Sequence, residues 1–384
     1  MPRKCDFEEK YKAQNIQPFN QGDEMWKRPR RDIELREIGK AFYKHQLPQG
    51  RAGYNRQDIA FRNAGWFLES KFARGIYESN FGLFSWEDKI QGLSELPKGT
   101  KFDAKDPEYN TRIVKKAARF FGAAMVGICK VDRRWIYSKG FNLLTRKEFD
   151  IDIGDEYEYS INMAVAMSYE HYQYAPTHIA GASTGVGYSQ MPFFAGLLAQ
   201  FLRQLGYKAI PSGNDTALSV PLAIQAGLGE IGRSGLLVTP KFGSRVRLCK
   251  VFTNLPLVCD EPIEFGVTAF CEACAKCADN CPGRAIPYGD RTTEPLNISN
   301  ASGGALKWYV NQERCFAFAA KNTVECGNCI RVCPFNKPAG WLHDASRWVI
   351  ERVPGFNRLF VKADDLFGYG EQEDIHTFWE RETY

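Results

Sequence analysis

The stretch Phe270–Pro282 reads FCEACAKCADNCP, and the stretch Arg314–Pro334 reads RCFAFAAKNTVECGNCIRVCP. Together they hold eight of the chain's twelve cysteines. Cys271, Cys274, Cys277 and Cys281 follow C-x2-C-x2-C-x3-C-P, and Cys315, Cys326, Cys329 and Cys333 follow C-x10-C-x2-C-x3-C-P. The first spacing is the bacterial ferredoxin run, in which the fourth cysteine serves the other cluster. Three closely spaced cysteines on a tight loop can face three corners of one cubane. The fourth, just before a proline that bends the chain away, points at a neighbouring cubane. The pattern predicts two 4Fe-4S clusters, one held by Cys271, Cys274, Cys277 and Cys333, the other by Cys281, Cys315, Cys326 and Cys329. Disulfide frameworks do not favour such short regular loops, and structural zinc sites rarely place three cysteines in series before C-P.

Electrons therefore pass through the chain, and the rest of the sequence must say where they go. The 384 residues exceed what two clusters need, and residues 1–265 leave room for a sizeable core. A hydrophobic share of 44% and a charged share of 25% are those of an ordinary globular protein. The net charge of +5 is too modest to call for nucleic acid. Aromatics at 14% are high, which suits a cofactor or apolar substrate enclosed by rings, although core packing can absorb them. No apolar run reaches the length of a membrane span, and no N-terminal apolar signal region is present. Arg30-Arg31-Asp32 has a twin-arginine look, but charged residues follow it, so it reads as a solvated helix start. Cys5, Cys129, Cys249 and Cys259 lack ligand spacing and read as free thiols.

Residues 1–105 are polar and irregular, with short helical faces at Ile33, Ile38 and Phe42 and at Trp66, Phe67 and Phe72. The aromatic stretch Gly65–Trp86 reads either as a source of rings, Phe81 and Trp86 among them, for a pocket lid or as a core-covering arm. Leu96–Thr100 looks like a turn-rich boundary. Residues 106–265 are regular. Ile113, Val114, Ala117, Ala118 and Phe121 mark a helix, and Ala123–Ile128 and Ile161–Met167 read as strands. Phe193–Leu205 reads as an amphipathic helix capped by Gly206, and Thr216–Ala226 as another helix. Gly235–Thr239 and Val246–Phe252 read as further strands. The alternation argues for an α+β chain, an α/β sandwich followed by a ferredoxin-like module over residues 266–340. Residues 341–384 form a polar, aromatic tail expected to pack back on the body.

Between Ser183 and Lys250 the chain is dense in glycine and small polar residues: STGVGYSQ at Ser183–Gln190, PSGNDT at Pro211–Thr216, GLGEIGRSG at Gly227–Gly235 and SRVR at Ser244–Arg247. None is a P-loop or a strand–GxGxxG–helix unit. Turns explain each block singly. Clustered ahead of the cysteine runs, they point to backbone approaching a large planar cofactor with a phosphate tail, with Thr184, Ser189, Asp215, Gly229 and Arg233 as the residues to touch it.

Taken in order, STGVGYSQM, PSGND, GLGEIGRSGLLVTP, SRVRLCKVFTNLPL and the two cysteine runs resemble the corrinoid-dependent respiratory reductive dehalogenases. The resemblance covers about Asp106–Pro338. It implies a corrinoid in a nitroreductase-like α/β domain, bound base-off without a protein histidine ligand, and fed by two cubane clusters. By motif, the family's tyrosine, asparagine and arginine fall on Tyr188, Asn214 and Arg247, with Arg245 the rival for the last. Thr184-x3-Tyr188 also matches the family spacing. The implied reaction replaces carbon–halogen by carbon–hydrogen in a small organohalide, consuming two electrons and one proton. A tyrosine donates that proton well only where its phenolate is stabilised, and an adjacent arginine supplies such stabilisation. The resemblance further implies a low-potential electron donor, a small membrane anchor protein and a place at the outer face of the cytoplasmic membrane after twin-arginine export. The oligomeric state stays open, a homodimer being one option.

Two other readings compete. Epoxyqueuosine reductase, a related corrinoid enzyme of tRNA modification, carries an acidic residue in a DTGP-type run that this sequence lacks. A cluster-bearing electron-transfer subunit would have no need of the glycine-rich blocks or Tyr188.

Overall fold

The structure is a computed structural model that describes residues 2–44, 48–73, 82–86, 101–143, 145–300 and 303–381. Phe81 and the turn expected at Leu96–Thr100 lie outside the described residues.

A four-stranded antiparallel sheet forms the centre. Its strands are β1 (Met125–Lys130), β2 (Tyr159–Ala166), β3 (Ala209–Ser212) and β4 (Val246–Thr253), in the spatial order β1-β2-β4-β3. Ile161 faces Ile128 on one side and Val251 on the other, which fixes the register. Strand β2 is buried along nearly its whole length because both faces of the sheet are covered, and its polar Ser160 and Asn162 are buried with the apolar residues.

The helices that matter here are α1 (Arg36–Lys44), α2 (Arg56–Gly65), α3 (Phe67–Phe72), α4 (Pro107–Phe120), α5 (His178–Gln204), α6 (Ser219–Gln225), α7 (Val267–Ala273), α8 (Lys276–Asp279), α9 (Gln312–Asn322), α10 (Asn328–Arg331), α11 (Trp341–Arg352) and α12 (Asn357–Leu366). Against one sheet face, Leu198 and Leu202 of α5 and Val114 and Ala118 of α4 bury Ile161, Met163 and Val251. Against the other, Leu222 and Ala223 of α6 pack with Phe7, Tyr11 and Trp135 over Ala164, Leu248 and Phe252. Helix α4 starts at a side-chain cap, where Asp106 accepts from the Glu108 and Tyr109 amides ahead of Pro107 at the first helical position.

Helix α5 differs from its sequence reading, because it begins at His178 and not at Phe193. Gly181, Ser183, Thr184, Gly185 and Gly187 have weak helix propensity, which is why STGVGYSQ reads as a loop. Burial overrides propensity here: all five are buried against neighbouring elements. The strand expected at Gly235–Thr239 shrinks to Leu237–Val238, paired with Glu230–Ile231.

The cysteine-bearing segments pack beside the sheet on a small core of Val238, Phe265, Val267, Phe270, Phe335 and Ile350. Phe270 and Phe335 meet edge to face at 5.2 Å. Helix α12 is pinned there by Asp364, which binds Lys276 Nζ at 2.5 Å and Lys337 Nζ at 2.6 Å. Farther on, Phe378 sets its ring edge on His171 and Tyr174, and Trp379 Nε1 donates to Asp58. Helix α1 packs Phe42 against Phe316 of α9. Among the described residues no helix is long and apolar enough to cross a membrane.

Candidate active site

Tyr188 sits in the middle of α5, four residues before Pro192. Pro192 has no N–H to give to the Tyr188 carbonyl, so the helix ladder is interrupted at this residue. Two glycines on the same helix clear space around it. A Cβ on Gly185 would lie 2.4 Å from the Trp66 ring, and one on Gly187 would lie 3.0 Å from Arg247 Cγ. Trp66, at the α2–α3 junction, therefore stacks on Tyr188 with ring centroids 4.8 Å apart and planes 23° apart. Arg247, at the start of β4 opposite Val165, places its guanidinium 4.9 Å from the Tyr188 ring centroid. Asn214, just past β3, donates from Nδ2 to the Tyr188 oxygen at 3.3 Å. Of the two candidate arginines, Arg245 instead gives Nη1 to the Met167 carbonyl and faces the rings of Tyr169 and Phe242.

Thr184, one helical turn before Tyr188, shares a 2.6 Å hydrogen bond with the buried Tyr172 hydroxyl. The other residues expected to touch a cofactor stand in contacts within the protein. Ser189 donates to the Gly65 carbonyl and accepts from the Glu69 amide, tying α5 to the α2–α3 junction. Asp215 accepts from Ser212 Oγ at 2.9 Å in a buried pocket behind Asn214. Gly229 is where the chain passes so close to Val238 that a Cβ would meet its carbonyl at 2.1 Å. Arg233 directs its guanidinium at five carbonyls, those of Cys271, Cys274, Pro287, Tyr288 and Gly289, and so clamps the first cysteine run to the core. His171 lies on the Phe61 ring with Nδ1 beside Ser168 Oγ, and His178 is buried against Tyr54.

The cysteines fall into two neighbourhoods. Burial pushes the Cys277 thiol up, and the charges of Cys271, Cys333, Cys329 and Cys274 add to it. Burial likewise raises Cys326 to about 12, with Cys315 and Cys281 beside it. Among the described residues no three Cys, His, Asp or Glu side chains converge as they would on a single ion. Cys329 and Ile330 pack on Met167 and Tyr172, so the second neighbourhood reaches the Thr184–Tyr188 face of α5. The remaining cysteines form no disulfide; Cys129 and Cys249 are buried and Cys5 and Cys259 half-buried.

The seam between the sheet domain and the cysteine runs carries polar atoms with no protein partner. Among the described residues these include Ser244 Oγ, Arg245 Nε, Arg247 Nε, Arg331 Nε and Nη1, and both amide atoms of Asn336. Buried groups of this kind are normally satisfied. A large ligand bearing amides and a phosphate would satisfy them, so the residues present fit a corrinoid. Sequence reading missed Trp66, Arg331 and Asn336. Arg331 had a signal, being a cation between two cluster cysteines.

Residues 270–336 match the model of the 4Fe-4S double cluster binding domain. Over 380 residues the chain is 37% identical to the tetrachloroethene reductive dehalogenase of Sulfurospirillum multivorans, covering 91% of this chain and 74% of the relative. A solved reductive dehalogenase, described as suggesting a mechanism for B12-dependent dehalogenation, superposes with a TM-score of 0.75 at 22% identity. That match covers 97% of this chain and 49% of the other, so the chain spans about half the length of the solved one. The epoxyqueuosine reductase of Lactococcus garvieae is 31% identical over 123 residues, which is 31% of this chain.

Proposed function

The chain belongs to the reductive dehalogenases, and from that premise we propose that it replaces the carbon–halogen bond of a small organohalide by carbon–hydrogen. Two electrons and one proton enter, and a halide ion leaves. A corrinoid, when bound, supplies the strongly reducing cobalt that this bond cleavage requires. Residues 106–265 would hold it, with Ser244 and Arg245 of that domain and Arg331 and Asn336 of the cysteine-bearing segment along the seam as its polar contacts. Cys271, Cys274, Cys277 and Cys333 hold one cubane, and Cys281, Cys315, Cys326 and Cys329 hold the other.

The observation that carries this reading is the convergence of Asn214 and Arg247 on Tyr188 under the Trp66 ring. Tyr188 holds the proton to be delivered at its oxygen. The fixed charge of the Arg247 guanidinium stabilises the phenolate left behind. Trp66 covers one face of the ring. The electron donor is a low-potential carrier. A small membrane partner and the outer face of the cytoplasmic membrane complete the proposal, and the relative named for tetrachloroethene makes chlorinated ethenes the first substrates to try.

Anaerobic metal analysis of the purified holoenzyme, followed by halide release with reduced viologen across chlorinated methanes, ethanes, ethenes and phenols, tests the proposal. About one cobalt and eight iron per chain with halide release is expected, the iron count following from two cubanes. Iron without cobalt would leave a cluster-bearing electron carrier instead.

A further inference from the structure

Lys250 lies in the middle of β4, between Cys249 and Val251, and is completely shielded from solvent. An isolated buried ammonium is costly, so such a lysine needs a reason to be there. Its Nζ donates to the Gly213 carbonyl and, at 3.1 Å, to Ser219 Oγ at the start of α6. Ser219 Oγ lies 3.1 Å from Asn214 Oδ1, and Asn214 Nδ2 lies 3.3 Å from the Tyr188 oxygen. The four side chains form one hydrogen-bonded line from the core to the phenol.

The direction of that line is set at its buried end. An ammonium has three donors and no acceptor, whereas a hydroxyl and a primary amide can each face either way. Because Lys250 donates to Ser219, the serine gives its own single proton to an acceptor, and Asn214 Oδ1 at 3.1 Å is nearer than the Gly213 carbonyl at 3.5 Å. The amide is then oriented with Nδ2 toward Tyr188, so the phenol oxygen accepts and its own proton is free to face the substrate. With the line reversed, Asn214 Oδ1 would take the phenol proton and hold it away from the reaction. Resting on the reading of Tyr188 as proton donor, we propose that Lys250 and Ser219 are positioning residues that fix the orientation of Asn214 and thereby aim the Tyr188 proton into the pocket.

The surroundings are built for this. Gln21 Nε2 and the Tyr137 hydroxyl both donate to the Asn214 carbonyl, at 3.2 and 3.3 Å, and hold the loop from below. Asp215 and Glu24 face the ammonium and favour its charge, while burial brings its pKa down to about 8. Lys27 lies beyond, paired with Glu24.

The test uses the corrinoid- and cluster-loaded enzyme with Ser219→Ala, a partly exposed position where the fold tolerates loss of a hydroxyl. Removing one neutral hydrogen bond that acts on the phenol is expected to lower kcat about three- to tenfold, with KM for the organohalide unchanged. Ser219→Thr, which keeps the hydroxyl, restores kcat. Ser219→Ala adds nothing in an Asn214→Ala background, since the two act in series, and its crystal structure shows the Asn214 amide turned away from Tyr188. If Tyr188→Phe is inactive but Ser219→Ala matches the parent in kcat with Asn214 unmoved, the positioning proposal fails and the proton-donor reading stands. If Tyr188→Phe itself turns over at the parental rate, both fail.

Discussion

The two halves of α5, on either side of Pro192, share one helix axis and obey different rules. After the proline, Ala195, Leu198, Ala199 and Leu202 are fully buried against the sheet, and large apolar side chains set the spacing. Before it, glycine and alanine bring neighbours close. The carbonyl of Ala182 lies 2.7 Å from where a Cβ on Gly65 would be, and Gly185 and Gly187 admit Trp66 and Arg247. The second half holds the domain together by volume. The first half gives up side-chain volume so that other elements can reach Tyr188. A single helix thus serves as core and as scaffold of the site, and substitutions on the two sides should separate stability from turnover.

The largest effect is expected at Tyr188. Tyr188→Phe removes the donated proton and no buried volume, so turnover should fall about 10²–10⁴-fold while thermal unfolding stays put. Halide release per cobalt and a melting curve on the same preparation check it. Leu198→Ala is the mirror image. It opens a cavity under the sheet and should cost about 2–5 kcal/mol in denaturant unfolding, with turnover per folded molecule retained. Gly185→Ala lies between them. Alanine is the better helix former, yet its methyl would meet Trp66 Cδ1 at 2.4 Å, so a loss of about 1–3 kcal/mol and a partial loss of turnover are expected. A more stable Gly185→Ala protein would show that Trp66 does not need that space.

A separate effect is a pH dependence at the first residue of the helix. His178 is buried and, among the described residues, neither of its ring nitrogens has a hydrogen-bond partner; burial, aided by the charge of Arg62, lowers its pKa from 6.5 to about 4. The folded state therefore resists protonation that the unfolded chain accepts. The stability owed to the neutral ring is complete above pH 6.5 and is lost progressively as the pH falls toward 4. Melting temperatures across that window should decline in the parent and flatten in His178→Phe. An unchanged slope would mean that another group titrates there.

What could be read beforehand divides along the same lines. The cysteine runs were legible because a cubane imposes a local spacing, and the later half of α5 because large apolar residues recur at helical intervals. The earlier half was read as a glycine-rich cradle, since its propensities are those of a loop and its helicity comes from burial by elements far away in sequence. Tyr188, Asn214 and Arg247 could be named by family motif. That Trp66 stacks on Tyr188, or that Arg233 clamps the first cysteine run, depends on tertiary contacts that no spacing encodes. Lys250 did leave a trace, as a second charged residue after Arg247 in the otherwise apolar stretch Val246–Phe252. A buried cation of that kind signals a partner.

The central claim is that the reaction takes place beside the Tyr188 phenol. Anomalous scattering from a small bromocarbon bound to the anaerobic, corrinoid-loaded crystal tests it most directly. The account predicts bromine density in contact with the Tyr188–Arg247–Asn214 group. A bromine held elsewhere, with the phenol beyond hydrogen-bonding reach of the substrate carbon, would contradict it.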